Sequence, residues 1–100
     1  MAVKVLIKRR FDPDKIAQAT KILIRIRYEA MKRDGYISSE TWRRLDDSSR
    51  IAVVSMWESP EDWNAWYKSS EREAFSEELK GVMTEAEAIE PYALGIPYQS

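Results

Sequence analysis

"RIAVVSMWESPEDWNAWYKS", residues 50–69, changes its period part-way. From Arg50 to Trp57 the run is short, β-branched and apolar on both faces at its centre, which reads as a strand inside a sheet. At Ser59 the pattern switches. Ser59 suits a helix cap, Pro60 the first helical position, and Asp62 stands three residues after the cap, where an acidic side chain reaches back. Trp63, Trp66, Tyr67 and Ser70 then share one face at helical spacing. A strand followed directly by an amphipathic helix sets two consecutive elements, and the rest of the chain is placed on either side of them.

Toward the N-terminus, "YISSETWRRL" (36–45) is rich in β-branched and aromatic residues and reads as a strand. "DDSS" (46–49) is the turn that pairs it with residues 50–57 in an antiparallel hairpin. Before it, Ile16, Ala19, Leu23, Ile26 and Ala30 recur at three- and four-residue spacings, which predicts an amphipathic helix over 14–32. Asp12 and Pro13 suit its start, and Gly35 suits the left-handed turn after its end. Ile22 and Ile24 widen its apolar face, so it meets either flanking elements on two sides or another subunit. At the start of the chain, Val3, Val5 and Ile7 alternate with Lys4, Leu6, Lys8 and Arg10, a strand with one apolar face.

Toward the C-terminus the helix from Ser59 runs to about Lys80, with an interruption at Ser69–Ser70, and Gly81 stops it. "VMTEAEAIEPYAL" (82–94) reads as a last strand, and "GIPYQS" (95–100) as a loop or short extension.

The order is β-α-β-β-α-β. With right-handed crossovers this is the ferredoxin-like α+β arrangement, an antiparallel four-stranded sheet with two helices on one face. First and last strands are then neighbours, which sets Lys4, Lys8 and Arg10 near Glu85, Glu87 and Glu90. The uncovered face carries Leu6, Val54 and Met56 among polar residues. Sheet-on-sheet packing of two copies would bury it, so a homodimer is expected; a monomer with a half-polar open sheet is the competing form.

Composition narrows function. One hundred residues make a single domain, 44% hydrophobic and 33% charged, in the globular range. Sixteen basic against seventeen acidic residues leave no field of one sign, which argues against nucleic acid and anionic membrane as partners. The absence of cysteine removes thiolate nucleophiles, disulfides and cysteine metal sites; the absence of histidine removes the usual base near neutral pH and the commonest metal ligand. No metal or other cofactor is expected. "MAVKVLIKRRF" does not read as a signal peptide and no stretch is long enough to span a bilayer, so a cytoplasmic protein is the expectation.

"DGYISSETWRRLDDSSRIAVVSMWESPEDWNAWYKS" (34–69) resembles the antibiotic biosynthesis monooxygenase (ABM) domain family: Asp-Gly leading into a strand, an acidic turn, a strand ending near Trp, then a helix opening at Ser-Pro. The resemblance covers nearly the whole chain. It implies a dimeric α+β barrel with a pocket between helices and sheet, and an oxygenase acting on phenols, quinols or anthrone-like compounds without metal or flavin. Relatives often carry Glu two residues before the strand-three Trp and His in the second helix, where this chain has Ser55 and Trp66. The haem-degrading branch looks like it needs a histidine and a strand-one asparagine, which are both missing.

The candidate site residues each have two readings. Trp42, Trp57, Trp63, Trp66 and Tyr67 are core bulk or the wall of a pocket for a flat ligand, with Ser55 as a polar contact. Their phases place Tyr36, Ser38, Glu40 and Trp42 on the helix side of their strand. Arg27, near the middle of the first helix's apolar stripe, either snorkels to water or faces a phenolate or carboxylate. Tyr36 would bind an oxyanion beside it. Glu40 is either the partner of Arg27 or a general base. On the enzymatic reading, the catalytic groups are Glu40, Tyr36 and Arg27. The alternative is a non-catalytic ligand-binding or structural homodimer. An enclosed void beside Trp66, as against a filled core, separates these classes.

Overall fold

A computed structural model describes residues 1–97, so the last three residues of the expected tail lie outside the described residues. The elements are β1 (Val3–Arg10), α1 (Ile16–Ala30), β2 (Tyr36–Arg43), β3 (Arg50–Trp57), α2 (Pro60–Tyr67), α3 (Ser70–Lys80) and β4 (Ala88–Ala93). All neighbouring strands are antiparallel, in the order β2-β3-β1-β4. The helices cover one face. This is the ferredoxin-like α+β fold.

Local chemistry accounts for the boundaries. Asp12 accepts from the backbone N–H of Asp14 (2.9 Å) and opens a short 3-10 turn at Pro13–Lys15 that leads into α1. Ser59 accepts from the N–H of Asp62 (3.1 Å) and donates to its carboxylate (2.8 Å), forming the cap of α2. The second helix does break. Ser69 donates to the Trp66 carbonyl (2.7 Å) and accepts from the N–H of Arg72 (3.2 Å), so one serine ends α2 and starts α3. Gly35 has φ +82°, and a side chain there would collide with Asp62.

On β1 the odd residues, Val3, Val5, Ile7 and Arg9, face the helices. Val3, Val5 and Ile7 pack with Trp57, Ile51, Ala19, Ile22, Trp63, Trp66, Phe75, Leu79 and Val82. Ile22 is therefore core, whereas Ile24 is exposed.

Three expectations need correction. Strand pairing at the end begins only at Ala88; before it, Met83 bridges Phe11 and Thr84 donates to the Arg10 carbonyl (3.0 Å), so 82–87 is a connection rather than strand. Only part of the expected charge ladder forms: Lys8 pairs with Glu90 (3.1 Å), but Glu87 turns inward to Arg9, and Lys4, Arg10 and Glu85 make no ion pair among the described residues. The third correction concerns β2. Tyr36 lies opposite Trp57 and Ser38 opposite Met56, so Ile37 is an extra residue in a bulge. Side chains alternate with period two, and one inserted residue flips all that follow to the other face. Ser39, Thr41 and Arg43 face the helices. Ser38, Glu40 and Trp42 lie on the open face, with Leu6, Val54 and Met56.

Candidate functional site

Between α1 and the helix-facing side of β1, β2 and β3 lies a cavity of about 50 Å³. Its aromatic wall is Tyr36, Trp57, Trp63 and Trp66. Tyr36 meets Trp57 edge-on at 5.5 Å between ring centres, and Trp57 meets Trp63 at 6.0 Å. The wall carries polar groups already oriented: the Trp57 indole N–H donates to Ser55 Oγ (3.0 Å), and the Tyr36 hydroxyl shares a 2.7 Å hydrogen bond with Ser39.

Its cations are the stronger signal. Arg9, Arg27 and Arg72 all line the cavity. Arg9 and Arg72 are buried, with side chains 3% and 6% exposed, and share one carboxylate, Glu87. Arg9 Nε donates to Glu87 Oε2 at 2.7 Å; Arg72 Nη2 donates to Oε1 at 3.2 Å, and its Nη1 to Ser76 at 3.1 Å. Burial pulls the Arg9 pKa down, against the pull of Glu87. Burial by itself would raise Glu87, but the two guanidiniums outweigh it and hold the carboxyl below its ordinary value. Glu87 is thus an ionised structural partner rather than a base. Arg27 is solvent-exposed, and its side chain makes no hydrogen bond or ion pair among the described residues. With Thr41, also exposed, it marks the mouth between α1 and edge strand β2.

This places the expected site residues. Arg27, Tyr36, Ser55, Trp57, Trp63 and Trp66 are brought together at the cavity. Glu40 and Trp42 are not; the bulge at Ile37 carries both to the far side of the sheet. Trp42 is half-exposed there and lines an open trough of about 620 Å³ with Lys8, Arg44 and Arg50. That trough is larger, but it is a surface feature, where Arg44 pairs with Asp46 and Arg50 with Asp47. Tyr67 stacks on Trp63 at 5.6 Å outside the cavity, beneath the Arg72 guanidinium.

The sequence pattern of the family described as antibiotic biosynthesis monooxygenase matches residues 2–78. The chain belongs to that family. Solved structures agree with it in fold. A conserved protein from Methanosarcina mazei Go1 is 16% identical, with 92% of this chain and 91% of that one covered and a TM-score of 0.86. Rv0793 from Mycobacterium tuberculosis is 14% identical, with 99% and 100% covered and a TM-score of 0.86. SnoaB, a cofactor-independent oxygenase from Streptomyces nogalater, is 10% identical, with 97% and 98% covered and a TM-score of 0.80. None of the curated proteins matches the chain.

Within this ABM domain, the groups that sequence reasoning missed are Arg9, Arg72 and Glu87. The signal was present for two of them. Arg9 shares the odd phase of Val3, Val5 and Ile7, and Glu87 the phase of Ile89, so both belonged on the helix-facing side. Arg72 stands among Glu71, Glu73, Glu77, Glu78 and Lys80, a charged run that gives no sign of burial; it is buried because the break at Ser69 resets the helical phase. Among the described residues no cluster of side chains suited to a metal ion occurs, and no helix is long and apolar enough to cross a membrane.

Proposed function

We propose that this ABM domain is a cofactor-independent oxygenase that takes a small electron-rich aromatic substrate, of phenol, quinol or anthrone type, in the cavity between helices and sheet. The observation that carries the reading is charge: three arginines line an aromatic-walled space, and two of them share the carboxylate of Glu87 behind it. Such a set favours the ionised form of a bound phenol or enol without a dedicated base, because nearby cations lower the pKa of the substrate itself. The proton leaves to water at the mouth by Arg27. Tyr36, held by Ser39, donates to the oxyanion, and Ser55 positions the Trp57 edge.

The chemistry then belongs to the substrate. A ring-stabilised carbanion gives an electron to dioxygen, the two radicals join as a peroxide anion that takes a proton back from water, and loss of water from this hydroperoxide leaves a carbonyl. Overall, a methylene carbon and dioxygen become a ketone carbonyl and water. One oxygen atom stays on the carbon, the other leaves with the two methylene hydrogens, and the substrate supplies all the electrons. Trp57, Trp63 and Trp66 supply flat apolar walls that keep water from the anion. A second copy packed on the open face, over Leu6, Val54 and Met56, completes the functional homodimer.

One observation favours a second reading, a structural dimer whose indoles only pack. The cavity, about 50 Å³, is well below the roughly 150 Å³ of an apolar cavity that admits benzene. On the oxygenase reading the ring enters as the Arg27 side chain, which no described residue holds, withdraws from the mouth. Oxygen-electrode traces with anthrone and with hydroquinones divide the two: uptake coupled to carbonyl product supports the oxygenase, and none with any of them supports the scaffold.

A further inference from the structure

The Arg9–Glu87–Arg72 cluster is incomplete as it stands. Two buried cations face one carboxylate, which leaves a positive charge unmatched in a place where unmatched charge is expensive. The hydrogen bonds are incomplete too. Arg9 commits only Nε; Nη1 and Nη2 have no partner among the described residues, and Arg72 Nε has none. Yet among the described residues no fully enclosed polar side-chain atom lacks a partner, so these nitrogens touch a space of solvent size. Arg9 lines two such spaces, the cavity and the open trough, and Arg72 lines the cavity. The direction the two guanidiniums have in common is the cavity.

We infer that the cavity is a receptor for a carboxylate, held between Arg9 and Arg72, and that the aromatic ligand of this protein is an aromatic acid. A single negative charge neutralises the buried pair. The planar forks of arginine match a carboxylate in two parallel hydrogen bonds. The size agrees: about 50 Å³ exceeds the roughly 10–15 Å³ that holds one water and falls short of the roughly 150 Å³ that admits benzene, so it admits the acid head as the structure stands. The ring then lies against Trp63 and Trp66, in space that Arg27 vacates at the mouth. This inference rests on reading the cavity as a ligand site and adds the class of ligand.

Titration of the full chain with benzoate, and with benzamide as the neutral isostere, tests it through indole fluorescence. Benzoate is expected to bind at least tenfold tighter than benzamide, and R9Q and R72Q to weaken benzoate tenfold or more while leaving benzamide unmoved. Glu87→Gln removes the competing carboxylate and is expected to tighten benzoate, which keeps the test decisive where R9Q does not fold. Equal affinity for the two compounds, no saturable benzoate binding, or an E87Q protein that binds benzoate no better than the parent overturns the inference. Oxygen uptake separates it from the oxygenase reading. Saturable benzoate binding without uptake on any phenolic or anthrone-type acid leaves the receptor and removes the oxygenase. Uptake on anthrone that R72Q diminishes, without saturable benzoate binding, leaves the oxygenase and removes the receptor.

Discussion

Replacing Glu87 by Gln takes the shared carboxylate from two buried guanidiniums while keeping the side chain's shape. Removing one partner of a buried ion pair costs about 3–5 kcal/mol, because the remaining charge is left uncompensated. Two features of the site moderate this. Glu87 is 18% exposed, so water reaches part of the cluster, and glutamine keeps one oxygen that still accepts from Arg9 or Arg72. Losing one charged hydrogen bond accounts for roughly 1.5–3 kcal/mol, and a loss of about 3 kcal/mol for the variant is consistent with both figures. In a 100-residue domain that corresponds to a fall in Tm on the order of 12–24 °C. Urea unfolding followed by tryptophan emission measures it, at one fixed protein concentration because self-association shifts apparent stability. Benzoate at a hundredfold excess over its Kd is expected to return about 2.7 kcal/mol to the variant. A loss below about 1 kcal/mol, or a gain, refutes the picture of Glu87 as the counter-ion of a buried pair.

Further outcomes follow from the same structure. Because the two arginines hold the folded-state pKa of Glu87 below the unfolded value of about 4.3, its stabilisation is complete above that pH and is lost as pH falls through the lower folded value; acid titration of stability is expected to show this loss in the parent and a shallower one in E87Q. Gly35→Ala forces a side chain into a positive-φ turn and against Asp62, so a loss of at least about 1–2 kcal/mol is expected in the same unfolding assay. Ser59→Ala removes the cap of α2 and is expected to cost about 1 kcal/mol by urea midpoint. Val54→Glu places a charge in the middle of the open sheet face; light scattering is expected to give twice the chain mass for the parent and one chain mass for the variant, and an unchanged dimer of the variant would move the interface elsewhere.

Much of the architecture was legible because it rests on periods and caps. The alternation of Val3, Val5 and Ile7, the 3–4 spacing from Ile16 to Ala30, and the Ser59-Pro60-Asp62 start each state a local preference that the tertiary fold agrees with. The site was legible only in part. Trp57, Trp63, Trp66, Tyr36 and Arg27 converge because their elements kept phase. Glu40 and Trp42 do not, because a bulge at Ile37 inserts one residue and nothing in "YISSET" announces it; neither glycine nor proline marks the position. In the cluster, Glu87 joins Arg9 and Arg72 across 78 and 15 positions of chain, so its ion pairs exist only once α3 and the connection after it have packed on the sheet. Its charges were visible individually. Their convergence was a property of the fold.

The functional account depends on chemistry taking place in the space ringed by three arginines and three indoles. An oxygen electrode measures this directly with anthrone, whose oxidation supplies both electrons and product. The expected result is protein-dependent uptake of one dioxygen per anthrone, carbonyl product in equal amount, and a marked loss of rate in R72Q. Uptake no faster than in buffer, or equally fast in R72Q, contradicts it.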